Sequence, residues 1–371
     1  GLVGSEMCIR DRSYYSRRRS LNIQPSLTYK QLHDQLFLEH EAGKHKESDA
    51  FNILIFNKIW VSSFLKREEA EDIRGMLHDN ALPFTTGSQI VSALMLGLQE
   101  AFDREKILLL FDAASHPNEE VKVRALISIL ITLYTYRKRT QLYPQIADRL
   151  AALAETPGFI KTIRTIILRF ILARETEKIT RKLQDEIIPE MLKLSPKLSK
   201  KINLNELTPE DLTGNEMNPE WESFFSDSTL GKKMVEFGEL QQEGADVMHS
   251  TFVHLKNFPF FHELSNWLLP FTIEHSYFDD QFTPDNEAEK QMLDSMTFAA
   301  FMCNSDKYSL YFSMMQLPKE ARKMMMNQFD SQATEMIQQN KEELISKRGK
   351  QDTIIGQYIH CLLYTSDAAD E

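Results

Sequence analysis

The sequence predicts an all-α chain folded as an α-solenoid, a stack of helix pairs. Three observations predict it. One pattern recurs as Val91-Ser92-Ala93-Leu94, Val123-Arg124-Ala125-Leu126 and Ile163-Arg164-Thr165-Ile166, at offsets of 32 and 40 residues. Apolar residues fall at helical spacing through most of the chain. Helix breakers are scarce, with 13 Gly and 13 Pro in 371 residues, while Met (16) and Phe (23) are generous. That balance favours helix over sheet.

The elements follow in order. Leu27 to Glu41 reads as an amphipathic helix with Leu32, Leu36 and Leu38 on its apolar positions, and Gly43 in the polar link after it is a stop. Ser48 and Asp49 are candidate caps for a second helix, Ala50 to about Phe64. That helix is apolar around most of its girth and so belongs in a core. A third helix covers about Glu68 to Leu77. Asn80-Ala81-Leu82-Pro83 interrupts the chain, and Thr85-Thr86-Gly87-Ser88 restarts it. Helices are expected at about 88–101, 104–114, 119–137 and 142–154, the last with Pro144 near its start. Thr156-Pro157-Gly158 is a break. Helices at about 160–174 and 176–194 complete the region, and Pro196 ends it. Helices in pairs with short joints are HEAT-like in organisation: one pair cannot hide its own apolar face, and stacking on its neighbours does.

Beyond this the pattern changes. Residues 201–219 are polar and turn-rich, which marks a linker or long loop. A helical pattern covers 228–256, with a possible break at Gly244. Residues 258–278 are dense in aromatics, shaped by Pro259 and Pro270, and read as core at a domain junction in preference to a peptide groove. Helices are expected at about 286–303, 305–316 and 318–346, and a final pattern reaches His360. The organisation expected is therefore a HEAT-like region over 14–200, a linker over 201–219, an aromatic-rich helical region over 220–285, and helical hairpins of tetratricopeptide-like form over 286–361. Residues 1–13 and 362–371 resemble translated sequencing-adapter read-through, so both ends are read as artefactual and excluded from the fold.

Composition bounds the function. The net charge is −11, unevenly placed: residues 14–200 hold 28 Lys/Arg against 23 Asp/Glu, and 201–360 hold 13 against 26. Of three Cys, Cys8 and Cys361 lie in or beside the terminal strings, which leaves no disulfide framework or thiolate metal site. A reducing, cytoplasmic setting fits. The longest nearly apolar run, Ala125 to Tyr136, is far short of the about 20 residues that cross a bilayer, so no membrane span is expected.

Several segments resemble large bacterial helical-repeat proteins of uncharacterised function, usually described as tetratricopeptide-repeat proteins. The residues that carry the likeness are Leu54-Ile-Phe-Asn-Lys-Ile-Trp60, Val91-Ser-Ala-Leu94 with Leu108-Leu-Leu-Phe-Asp112, Arg124-Ala-Leu126 with Leu142-Tyr-Pro144, and Glu243-Gly-Ala-Asp-Val247 through Leu255-Lys-Asn-Phe-Pro-Phe-Phe261. The resemblance implies a repeat architecture that holds partners. It implies no catalytic residues, and the full tetratricopeptide spacing is complete nowhere in the chain.

Motifs of chemistry are weak. There is no HExxH. His40-Glu41 with His45, and His249 with His254, have i, i+5 spacings that suit one helix face poorly, and His262-Glu263 and His275 match no ligand spacing. The acidic stretch 278–287 lacks the ligand order and central glycine of an EF-hand. No nucleophile elbow, P-loop or GxGxxG occurs. One signal stands out: residues 122–182 hold 13 Lys/Arg against 4 Asp/Glu. A candidate basic interaction face comprises Lys122, Arg124, Arg137, Lys138, Arg139, Arg164 and Arg169; its plainer reading is the wet sides of amphipathic helices. The function expected is a non-catalytic scaffold for a protein or peptide partner, without cofactor or metal. The alternative is nucleic-acid binding through that basic face.

Overall fold

A computed structural model describes residues 14–18, 27–182, 256, 258–279, 296, 303–316 and 347–367. The expected linker 201–219 and the helices expected at 228–256, 286–303 and 318–346 lie outside these residues, but for Lys256, Met296 and Cys303. The described residues hold helices and turns without a strand, so the chain is all-α.

Residues 14–18 are helical, and after them α1 (Tyr29–Glu41) starts at a capping box. The Gln31 amide donates to Thr28 Oγ1 at 3.2 Å, and the Thr28 amide donates to Gln31 Oε1 at 2.9 Å. Gly43 ends it with φ +66°, a conformation that suits glycine. The left-handed turn lets α2 (His45–Val61) begin at once, three residues before the expected cap. Ser48 and Asp49 therefore lie inside the helix and do not cap it. Pairs of helices then alternate with short joints. Helix α3 (Arg67–His78) is followed by α4 (Phe84–Glu100), which starts directly after Pro83, with Thr86, Gly87 and Ser88 buried in its opening turns. Helix α5 (Arg104–Ala113) is capped by Asp103, whose other oxygen accepts from the Leu65 amide at 2.6 Å. Asn118 caps α6 (Glu119–Thr135), and Pro144 opens α7 (Pro144–Ala154) at a position where its missing N–H costs nothing.

Helix α8 (Phe159–Lys182) corrects the sequence reading, which breaks it near residue 175. No glycine or proline lies within those 24 residues, and Glu175-Thr176-Glu177 is compatible with helix. Two one-turn helices, Leu264–Trp267 and Ser276–Asp279, punctuate the aromatic segment. Helix α9 (Asn304–Met315) and helix α10 (Lys347–Asp367) complete the described structure.

The helices pack in two rows. In one, α2 lies on α4 and α4 on α6; in the other, α1 lies on α3, α3 on α5 and α5 on α7. Polar ties run along the second row: His33 Nε2 to Asp79 Oδ2 at 2.8 Å, Arg74 Nε to Asp112 Oδ2 at 2.7 Å, and Arg149 to Asp112 Oδ1 at 3.1 Å. Helix α10 packs against α6, α8 and α9. The aromatic segment contacts α2 and α9. Phe260, Phe271, Phe278, Tyr308, Tyr311 and Phe312 bury their rings in one cluster, with the Phe260 and Tyr308 centroids 4.6 Å apart. The aromatics thus form core.

In the first row α2 and α4 approach closely at Gly97. A Cβ there would sit 3.0 Å from the Trp60 carbonyl oxygen and would strike the ammonium of Lys106. That buried ammonium donates to the carbonyls of Ile59 at 2.9 Å and Ser62 at 2.7 Å, satisfying groups that the end of α2 leaves open. Gly97→Ala is expected to destabilise the fold by about 1–3 kcal/mol in denaturant titration, as an overpacked core position does. Gly75→Ala, in open space on the exposed side of α3, is expected to be neutral or stabilising by up to about 1 kcal/mol.

Burial lowers the Lys106 ammonium from 10.5 to about 8. Between these values the unfolded chain holds the proton that the folded chain has released, so this lysine adds stability as pH rises. Burial moves Lys307 in the same direction, also to about 8. Unfolding free energy measured at about pH 7.5 and about pH 9.5 is expected to increase, and Lys106→Met is expected to keep only the share due to Lys307.

Candidate functional site

The basic residues singled out by the sequence do not share one environment. Lys122 is half-buried and pairs with Glu119 at 3.6 Å. Arg137, Lys138 and Arg139 are exposed on the turn after α6, where the Arg137 guanidinium lies over Tyr134 at 5.4 Å and that of Arg139 over Phe102 at 4.3 Å. On α8, Arg164 is exposed and Arg169 half-buried. Arg124 is a correction: its exposure is 0%, so it belongs to no basic face. Glu120 accepts from its Nε at 2.9 Å and from its terminal nitrogen at 2.7 Å. Ser92 Oγ accepts at 3.3 Å, the Leu268 carbonyl also accepts, and the Tyr358 ring lies 4.5 Å from the guanidinium carbon. The cause is geometric. Arg124 holds the same place in its repeat as Ser92 does in the preceding one, so the two face each other where α6 lies on α4.

A cleft of about 670 Å³ opens where the first two helix pairs meet the aromatic segment. One wall is α2, which presents His45, Ser48, Asp49, Asn52 and Ile53, positions three and four apart that share a helix face. A second wall is the Asn80–Pro83 turn with the start of α4, including Gln89. The third is the segment from Asn266 to His275. Asn52 is held in place by a hydrogen bond from Thr86 Oγ1 at 2.8 Å. Asp49 Oδ2 accepts from the Ser276 amide at 2.8 Å and pairs with His275 Nδ1 at 3.4 Å, which binds α2 to the aromatic segment.

Two buried side chains in the lining keep an unmatched acceptor. Gln89 is 4% exposed and Asn266 is 3% exposed. Their oxygens, Gln89 Oε1 and Asn266 Oδ1, have no hydrogen-bond partner, which is unusual for buried polar atoms. The orientation of Asn266 is set by its own amide nitrogen, which donates to the Phe260 carbonyl at 2.9 Å. Among the described residues the lining contains no Lys or Arg, and its formal charges are Asp49 and Glu274. The lining also carries three histidines, His40, His45 and His275, and the hydroxyls of Ser48, Thr85 and Thr272, so donors and acceptors both face the cleft.

His40, His45 and His275 all reach this lining, although their spacing in sequence suggested nothing. Among the described residues no three His, Cys, Asp or Glu side chains gather as metal ligands would. His249 and His254, and the acidic stretch beyond Asp279, lie outside the described residues. Sequence reading missed Asp49, Gln89 and Asn266 as site residues because they are far apart in the chain. A usable trace was the presence of Asn52 and Gln89 beside the apolar runs of α2 and α4.

Among the described residues no helix is long and apolar enough to cross a membrane. Comparison with models of protein families, with curated proteins and with solved structures finds no match to this chain.

Proposed function

We propose that this chain is an α-solenoid of stacked helix pairs, related in kind to HEAT and tetratricopeptide arrays. It works as a non-catalytic scaffold in the cytoplasm that holds a protein or peptide partner. Support for the architecture comes from the two rows of helices, in which each helix lies on the one two places along the chain. The observation that carries the function is the cleft between α2, α4 and the aromatic segment, lined by polar side chains from all three walls. A peptide matches such a lining, with backbone donors and acceptors and with a side chain that can enter the cleft. The nucleic-acid reading draws on Arg137, Lys138, Arg139 and Arg164, and has lost Arg124.

Selection of a random linear-peptide library on the immobilised chain tests this. Enriched peptides are expected to bind at least about ten-fold more weakly to Ala81→Trp, which adds bulk at an exposed point of the cleft wall. A library that yields no binder, or binders indifferent to Ala81→Trp, contradicts the proposal.

A further inference from the structure

We propose that one exposed side of α8 is the seat of residues 219–227 of this same chain, packed on it as a short acidic amphipathic helix. The inference does not depend on the cleft. Its first support is that α8 is apolar on two sides. Phe159, Ile163, Ile166, Phe170 and Ala173, at helical spacing, pack on the core. Ile160, Ile167, Leu168 and Ile171, also at helical spacing, make a second stripe that is 45–58% exposed. A surface helix keeps one apolar stripe, and a helix that closes a repeat stack turns a polar face outward. Single apolar residues on a surface need no partner, but four in one stripe mark a docking face.

The second support is charge. Arg164 stands within the exposed stripe and Lys161 beside it, and neither forms an ion pair among the described residues. No Asp or Glu occurs between positions 156 and 173. The face therefore suits an apolar helix that brings carboxylates. A second copy of this chain fits badly: two such faces related by a two-fold axis would set basic side chains against each other with no acid on either side. Within the chain, 219–227 has the matching pattern. Asn218 is a cap residue type, Pro219 suits the first helical position, and Glu220 and Glu222 suit the first turn. Trp221, Phe224 and Phe225 are spaced three and four apart, so a helix carries them on one face. Asp227 adds a third acid, and the stretch has no Lys or Arg, whereas 183–200 and 318–346 carry lysines of their own. Reach is ample. The tethers 183–218 and 228–255 can each span about 90 Å or more, and α8 is about 36 Å long.

The test places the photoreactive residue p-benzoylphenylalanine at position 167 or 171 of the full chain and maps the products of irradiation by mass spectrometry. Cross-links to 219–227 within a single chain are expected. Trp221→Ala combined with Phe224→Ala and Phe225→Ala is expected to lower their yield at least about five-fold. Arg164→Glu is expected to lower it about two-fold or more, and adding Glu220→Lys and Glu222→Lys is expected to restore it. Arg164 is exposed, so the helical circular-dichroism melt of Arg164→Glu is expected to match that of the parent chain. Products with the mass of two chains would make a second copy the occupant. Products that never include 219–227 would leave the face to another segment or to an outside partner. A yield indifferent to both sets of substitutions would make the contact a chance encounter. Each of these three results overturns the proposal.

Discussion

A guanidinium with no exposure to water organises this molecule. Taking such a charge out of water costs several kcal/mol unless its surroundings restore what hydration supplied. Around Arg124 they come from four parts of the chain: the Glu120 carboxylate one turn back on α6, the Ser92 hydroxyl on α4, the Leu268 carbonyl in the aromatic segment and the Tyr358 ring on α10. None of these parts can move away without stranding the charge. Tyr358 is held in turn, since its hydroxyl donates to Ser92 Oγ at 3.1 Å. Apolar packing brings the helices together, and it is not directional. The guanidinium adds direction.

The cleft is a consequence of that arrangement. Residues 258–279 have little regular structure and would not stay in place by helical hydrogen bonds. They are fixed by the ring cluster, by Tyr308, whose hydroxyl donates to the Pro270 carbonyl at 2.9 Å and accepts from the Thr272 amide at 3.1 Å, and by Leu268 on Arg124. Asp49 on α2 supplies the fourth tie. With the segment so placed, Asn266 joins Gln89 and Asn52 in the lining of one cleft. At the far end of the same row, the close contact at Gly97 draws α2 and α4 together over the ammonium of Lys106.

Much of the helical order was legible in the sequence. Gly43, Pro144 and Gly158 mark ends that the structure respects, because each depends on a backbone preference local to a few residues. Starts were harder. Asp49 has the chemistry of a cap, yet Gly43 turns the chain so sharply that α2 begins before it. The break expected near residue 175 had no glycine or proline behind it, and α8 runs on. Arg124 was misread for a deeper reason. Amphipathic pattern says which side of a helix is apolar, but cannot say that a charged residue on the buried side will find a carboxylate, a hydroxyl, a carbonyl and a ring waiting. The recurrence of Val91-Ser92-Ala93-Leu94 as Val123-Arg124-Ala125-Leu126 holds the clue, since Ser92, the equivalent of Arg124, is a residue it touches. The cleft was not legible at all, because Asp49, Gln89 and Asn266 meet only through tertiary packing.

Hydrogen exchange on Arg124→Met tests this most directly. Methionine keeps much of the side chain's length and apolar contact, so the helices are expected to persist. Amides within 258–279, among them those of Phe261, Asn266 and Thr272, are expected to lose protection by about ten-fold or more relative to those of α1, α3 and α5. Unchanged protection in that segment, with the variant as stable as the parent chain, would show that Arg124 organises nothing and that ring packing alone seats the aromatic segment.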